Sequence, residues 1–154
     1  MISITRVLRR SGQFSLKAKP STRTFESTTC IRRIVINLIT LLVGASAGGL
    51  QLLNMDDEWM AITPEEDEIV INVGDMLQRL TNNYLKSTTH RVVNPPREEW
   101  HKPRLSIPFF LHPVSKMDLT CLDDCVTAER PLAYEPITAG EYLDERLREI
   151  GLKK

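Results

Sequence analysis

Histidine is scarce in this sequence and one-sided in its placement: the chain has His90, His101 and His112, and none before them. Cysteine is equally scarce. Three in 154 residues exclude a disulfide framework, and Cys121 with Cys125 makes a C-x3-C pair without further Cys or His at zinc spacing, so reduced thiols are expected. Aromatic residues make up 6%, and the basic N-terminal stretch holds only Phe14 and Phe25, which argues against a stacking surface for nucleic acid. Acids are nearly absent from residues 1–35, where Glu26 stands alone against eight basic residues. The Gly-rich segment 44–49 lacks the Gly-Lys-Ser/Thr ending of a phosphate loop. Internal repeats and a nucleophile–base–orienter triad are also missing.

What is present is ordinary for one globular domain with a core, at 42% hydrophobic and 26% charged. The neutral total hides two unlike parts, since the basic excess of residues 1–35 is balanced by an equal acidic excess in the remainder. Three readings suit the Arg/Ser/Thr-rich leader: an organellar transit peptide, a basic arm for an acidic surface, and a disordered segment without function. The abrupt change of composition at Ile36 favours the last. The expected location is the cytoplasm, with organellar import through residues 1–35 as the alternative.

Residues 34–53 carry no charge and follow Arg32-Arg33, the outline of a membrane span. Asn37, Gln51 and the small-residue centre Gly44 to Gly49 make a poor helix, so a hairpin with strands near 36–42 and 50–54 is expected instead. A polar turn at Asn54 to Glu58 then leads to a short strand over 59–62, and Glu68 to Val73 reads as another strand. The acids at 56–58 suit a solvated turn, because a calcium loop spaces its ligands over about twelve residues. Asp75 is expected to cap a helix from Met76 to Leu80. At the other end, Thr138-Ala139-Gly140-Glu141 is a capping box for a helix over 139–150 that Gly151 stops, with Glu145 and Arg148 placed to pair on its surface.

The chemistry is concentrated between Asn72 and Pro113. The β-branched run Ser87 to Val93 is expected to carry His90 on a strand, sharing a face with Thr88 and Val92. After a proline-rich loop over 94–103, a second strand from Arg104 would place Arg104, Ser106, Pro108 and Phe110 on one face, with the guanidinium and the hydroxyl about 7 Å apart. An Arg fork with a Ser hydroxyl beside it can hold a carboxylate. Asn72-Val73-Gly74-Asp75, Leu80-Thr81-Asn82, Lys86 to Val92 and Arg104-Leu105-Ser106 closely resemble the C-terminal half of the isopenicillin-N-synthase-like 2-oxoglutarate/Fe(II) oxygenases. The resemblance extends to bacterial members of the ethylene- and succinate-forming type and covers the chain from Ile36 onward.

That resemblance implies a mainly β fold: a partial double-stranded β-helix, or jelly roll, over 36–114, a tail and helix over 115–154, and the disordered leader over 1–35. It implies a dioxygenase using Fe(II) and 2-oxoglutarate on a small-molecule substrate, with His90 as a metal ligand and Arg104 and Ser106 holding the distal carboxylate of 2-oxoglutarate. The family's other two ligands form His-x-Asp ahead of a run like Ile36 to Leu42, and those positions here hold Arg33, Ile34 and Val35. No other histidine can stand in, because all three lie at or after His90. The expectation is therefore the C-terminal part of an oxygenase, catalytically incomplete, with no catalytic residue assigned. The rival reading is a non-catalytic module that binds a partner or its own copy through exposed sheet edges. Nucleic acid is not expected as a partner, nor is a membrane.

Overall fold

Short apolar and β-branched runs, separated by Gly, Pro and acidic turns, become strands. The computed structural model describes residues 2–3, 5–9, 14–15, 19–20, 35–43, 48–65, 67–94, 97–99, 101 and 105–153. In chain order the strands are β1 (Ile2–Ser3), β2 (Thr5–Arg9), β3 (Phe14–Ser15), β4 (Lys19–Pro20), β5 (Ile39–Val43), β6 (Leu50–Leu53), β7 (Trp59–Ala61), β8 (Glu68–Val73), β9 (Leu85–Lys86), β10 (His90–Val92) and β11 (Ile107–Leu111). Helix α1 (Asp75–Leu80) follows β8, and α2 (Ala139–Glu149) lies near the C-terminus. One sheet runs β11-β5-β8-β2-β3, a second runs β10-β6-β7-β4, and β1 pairs with β9 in parallel. The molecule is mainly β, a partial jelly roll with a C-terminal helix.

The two larger sheets share a core. Leu50 and Leu52 of β6 meet Ile62, Val70 of β8 and Leu42 of β5. On β8 the alternation is strict through the middle: Glu68, Val70 and Asn72 are buried on the inner face while Ile69 and Ile71 are only half-buried on the outer one. A second cluster, beside the sandwich, joins Met76 of α1 to Leu119, Ala139 and Tyr142, with Ile36, Leu38 and Ile137 packed against it.

Several expectations change at this level. Strands β5 and β6 do form, but not as a hairpin: β5 pairs with β8 and β11, and β6 with β7 and β10. The chain crosses between sheets because Gly49, at φ 115°, turns it toward β10, where the Gly49 carbonyl accepts the Val93 N–H at 2.9 Å. Residues 1–35, expected to be a structureless leader, contain β1 to β4, and β2 sits between β8 and β3 with Val7 opposite Val70. Asp75 does not cap α1. Gly74 is the N-cap and no side chain accepts there, while the Asp75 Oδ2 accepts instead from the Tyr142 hydroxyl at 3.0 Å.

The strand carrying His90 is shorter than 87–93, because the Ser87 N–H is drawn off the ladder to the Gln78 Oε1 at 2.7 Å. The strand expected from Arg104 begins at Ile107. At the far end, α2 has the expected capping box between Thr138 and Glu141, and Gly151 follows at φ 75°. Among the described residues, α2 carries the surface pairs Arg146 with Glu149 at 2.7 Å and Asp144 with Lys153 at 2.5 Å, not Glu145 with Arg148. Among the described residues no helix is long and apolar enough to cross a membrane.

Candidate functional site

His90 opens β10, opposite Leu52 of β6, and its ring reaches toward the inner face of β8. Two groups meet its Nδ1, the Asn72 Nδ2 and the Thr88 carbonyl oxygen, each at 3.3 Å. They ask for opposite protonation. A carbonyl can only accept, so the bond to Thr88 needs hydrogen on Nδ1 and leaves the lone pair on Nε2, the form in which histidine serves a metal. A bond from the Asn72 amide N–H needs the other tautomer.

Asn72 continues inward as a row of uncharged polar groups. It stands opposite Thr40 in the β5·β8 register, and the Asn37 Nδ2 donates to the Thr40 Oγ1 at 3.0 Å. Asn37 is 0% exposed and its Oδ1 has no partner. It is held against Gly74, where an added Cβ would fall 2.1 Å from the Asn37 carbonyl oxygen, so the residue before α1 has to be glycine. The Asn37 carbonyl also receives the Met76 N–H at 3.2 Å, tying the site's floor to the helix start.

Of the residues picked from the sequence, His90 lies on this inner face. Ser106 precedes β11 and is half-buried. Arg104 lies outside the described residues, as do Arg33 and Ile34 of the expected His-x-Asp positions. Val35, the third of those positions, precedes β5, and its carbonyl accepts the N–H groups of Asn37 at 3.1 Å and Asp75 at 3.0 Å. His101 and His112 are exposed.

Among the described residues, the side chains beside His90 do not suit Fe(II). Amide and hydroxyl side chains are weak ligands for that ion beside imidazole and carboxylate. Among the described residues no three His, Cys, Asp or Glu side chains converge.

Asn72 and Asn37 are the members of this row that sequence reasoning passed over as side chains. The sign available for Asn72 was that it shares the Glu68–Val70 face of Glu68-Ile69-Val70-Ile71-Asn72-Val73, since an amide buried on a core face needs a partner there. Arg91, one residue after His90, faces elsewhere. Its Nε donates to the Gln51 Oε1 at 2.8 Å and its guanidinium lies 3.9 Å over the Trp59 ring.

The nearby carboxyl belongs to a different environment. Burial raises the Asp75 pKa above its ordinary 3.8, against the Tyr142 hydrogen bond and the charge of Arg146, which lower it. Tyr142 is pushed upward by its own burial and by the Asp75 carboxylate. A carboxyl whose pKa is raised in the folded state stabilises most below its unfolded value, and that contribution is lost as pH climbs through the folded value. Asp75→Asn is therefore expected to gain stability relative to the unaltered chain between pH 4 and pH 7, as read by urea unfolding at both. A difference that stays constant with pH would show that folding does not raise the Asp75 pKa.

The family described as the 2OG-Fe(II) oxygenase superfamily matches residues 13–113. A solved 2OG-Fe(II) oxygenase family protein of Caulobacter crescentus is 52% identical, over 85% of this chain and 43% of its own, with a TM-score of 0.74. A full-length Neurospora crassa protein, solved in complex with alpha-KG, is 39% identical over 77% of this chain and 37% of its own, with a TM-score of 0.70. Flavanone 3-dioxygenase 2 of Oryza sativa subsp. japonica is 39% identical across 68% of this chain and 29% of its own. The chain spans about a third of the length of the curated relatives it matches.

Proposed function

Because this chain belongs to the 2OG-Fe(II) oxygenase superfamily, we propose that it is a dioxygenase-type oxidoreductase of the isopenicillin N synthase kind whose metal centre is incomplete within its own sequence. His90 is the ligand it keeps. Arg104 and Ser106 are the groups that would hold the distal carboxylate of 2-oxoglutarate, the guanidinium through paired charge-assisted bonds and the hydroxyl through a third. The substrate class is a small molecule, as for the family, and its identity is open.

One observation supports the incompleteness: among the described residues no three His, Cys, Asp or Glu side chains form a metal-binding cluster, and the described groups at the His90 Nδ1 are the Asn72 amide and the Thr88 carbonyl. The sequence agrees, with Arg33 and Val35 where the family's His-x-Asp falls. A lone neutral imidazole does not give a selective Fe(II) site, and an arginine in place of a ligand brings charge of the wrong sign.

Anaerobic calorimetric titration with Fe(II), then 2-oxoglutarate, tests this on the full chain beside His90→Ala and Arg104→Ala. The expected result is no saturable Fe(II) binding below about 1 mM. Weak 2-oxoglutarate binding is expected, lost in Arg104→Ala and untouched in His90→Ala. Tight Fe(II) binding that disappears in His90→Ala would mean that other residues complete the site, and the incomplete-centre reading would be abandoned.

A further inference from the structure

The segment that leads into His90 is not held as a strand. Residues 87–89 lie outside β10, and β6 turns away at Asn54, whose N–H goes to the Glu58 carbonyl at 2.9 Å. The Ser87 N–H instead meets α1, donating to the Gln78 Oε1 at 2.7 Å. This bond fixes the Gln78 amide, because a backbone N–H can only donate and so must face the oxygen. The Gln78 Nε2 then points to the Tyr134 hydroxyl oxygen at 3.5 Å, a long bond, while that hydroxyl gives its hydrogen to the Asn83 Oδ1 at 2.6 Å. Donors and acceptors thus run in one direction, from Ser87 through Gln78 and Tyr134 to Asn83.

The consequence falls on the His90 ring. Side chains of a regular strand stand perpendicular to the sheet while its carbonyls lie within the sheet, so a ring at position 90 would not meet the carbonyl of position 88. The 3.3 Å approach of the Thr88 carbonyl to the His90 Nδ1 needs the chain to leave that path over 87–89, where the bond to Gln78 holds it. Of the two groups at this nitrogen only one has a choice. The Asn72 amide can turn over and present its oxygen, whereas the Thr88 carbonyl can only accept. The arrangement that satisfies both puts the hydrogen on Nδ1 and the lone pair on Nε2.

We propose that Gln78 is the positioning residue of His90: its hold on the Ser87 N–H keeps the Thr88 carbonyl against the ring and so decides which ring nitrogen carries the lone pair. The inference rests on His90 being the ligand this chain keeps, since a ligating imidazole offers the nitrogen left without hydrogen. Its test uses no metal, so a failure of Fe(II) binding and a failure of this proposal are told apart.

Long-range proton–nitrogen correlation spectra of the isotope-labelled full chain, at about pH 8.5 and so above the ordinary histidine range, report the tautomer of each ring. The chain has three histidines, of which the exposed His101 and His112 supply the solvent-facing reference, and a His90→Gln spectrum assigns the third. His90 should carry its hydrogen predominantly on Nδ1. Gln78→Ala should shift its tautomer ratio toward Nε2–H by on the order of 10-fold, the worth of one ordinary hydrogen bond. Gln78→Glu, which keeps an acceptor for the Ser87 N–H, should restore the ratio of the unaltered chain. Hydrogen predominantly on the His90 Nε2 in the unaltered chain overturns the proposal, whether or not any variant folds. So would equal ratios in Gln78→Ala and the unaltered chain, or in Gln78→Glu and Gln78→Ala.

Discussion

Arg33→His combined with Val35→Asp is expected to raise the affinity of this chain for Fe(II), or for Co(II) as its optical substitute, by about 100-fold or more. Two changes act together. The pair supplies an imidazole and a carboxylate in His-x-Asp spacing around Ile34, and it removes the guanidinium charge of Arg33. Position 35 is already anchored beside the start of α1, since its carbonyl holds the N–H groups of Asn37 and Asp75. The gain should vanish when His90→Ala is added, and either single substitution should give only a small part of it. Co(II) absorption in the visible region reports the coordination directly. If the double variant gains nothing, or gains affinity that survives His90→Ala, then positions 33 to 35 do not converge on His90 and the alignment behind the proposed function fails.

Asn82→Ala should be the most damaging single substitution to stability. Asn82 is 0% exposed and holds φ 46°, just past the end of α1. Its Nδ2 donates to three carbonyls of the C-terminal segment, those of Cys125 at 3.3 Å, Arg130 at 3.2 Å and Pro131 at 3.1 Å. Its Oδ1 accepts the Ala133 N–H at 3.0 Å and lies 3.8 Å from the Cys121 Sγ. Alanine there removes these part-buried bonds, leaving the Pro131 carbonyl and the Ala133 N–H without their side-chain partner at about 1–3 kcal/mol each, while the Cys125 and Arg130 carbonyls keep other donors. It also gives up the tolerance of asparagine for a left-handed backbone. A loss of roughly 3–5 kcal/mol is expected, a large share of a typical domain's 5–15 kcal/mol. Asn82→Gly separates the two causes, because it relieves the backbone and keeps the missing bonds. Denaturant unfolding measures both, and a loss under about 1 kcal/mol in Asn82→Ala would show that the segment 121–133 does not depend on this side chain.

How far the sequence announced this structure depends on whether a feature is local. The capping box at Thr138 and Glu141, the strand Glu68 to Val73 and the stop at Gly151 were all readable, because each is decided by a few neighbouring residues. The hairpin expected across the small-residue turn was not what formed, since the partner of β6 was chosen by β7 and β10, not by the strand before it. Asp75 illustrates the same limit: a residue of the kind that caps helices turned to Tyr142, 67 positions away, for its hydrogen bond. At the candidate site, His90 could be picked from its strand and its spacing to Arg104 and Ser106, whereas its contact with Asn72 required knowing that β8 and β10 face one another. Residues 5–9 were hardest to place, as two arginines in five residues obscure a strand that gains its position from β8.

The cluster around Met76 has a consequence in time. Its members come from residues 36 and 38, then 76, then 117 and 119, and finally 137 to 143. A ribosome delivers these in order, so Met76 has no complete shelter until Tyr142 has emerged. The sandwich contacts among Leu42, Leu50, Leu52, Ile62 and Val70 are all available much earlier. Nascent protein thus passes through a stage in which the sheets can close while α1 still waits for its cover, and a chaperone that reads exposed methionine and leucine would find its opening there.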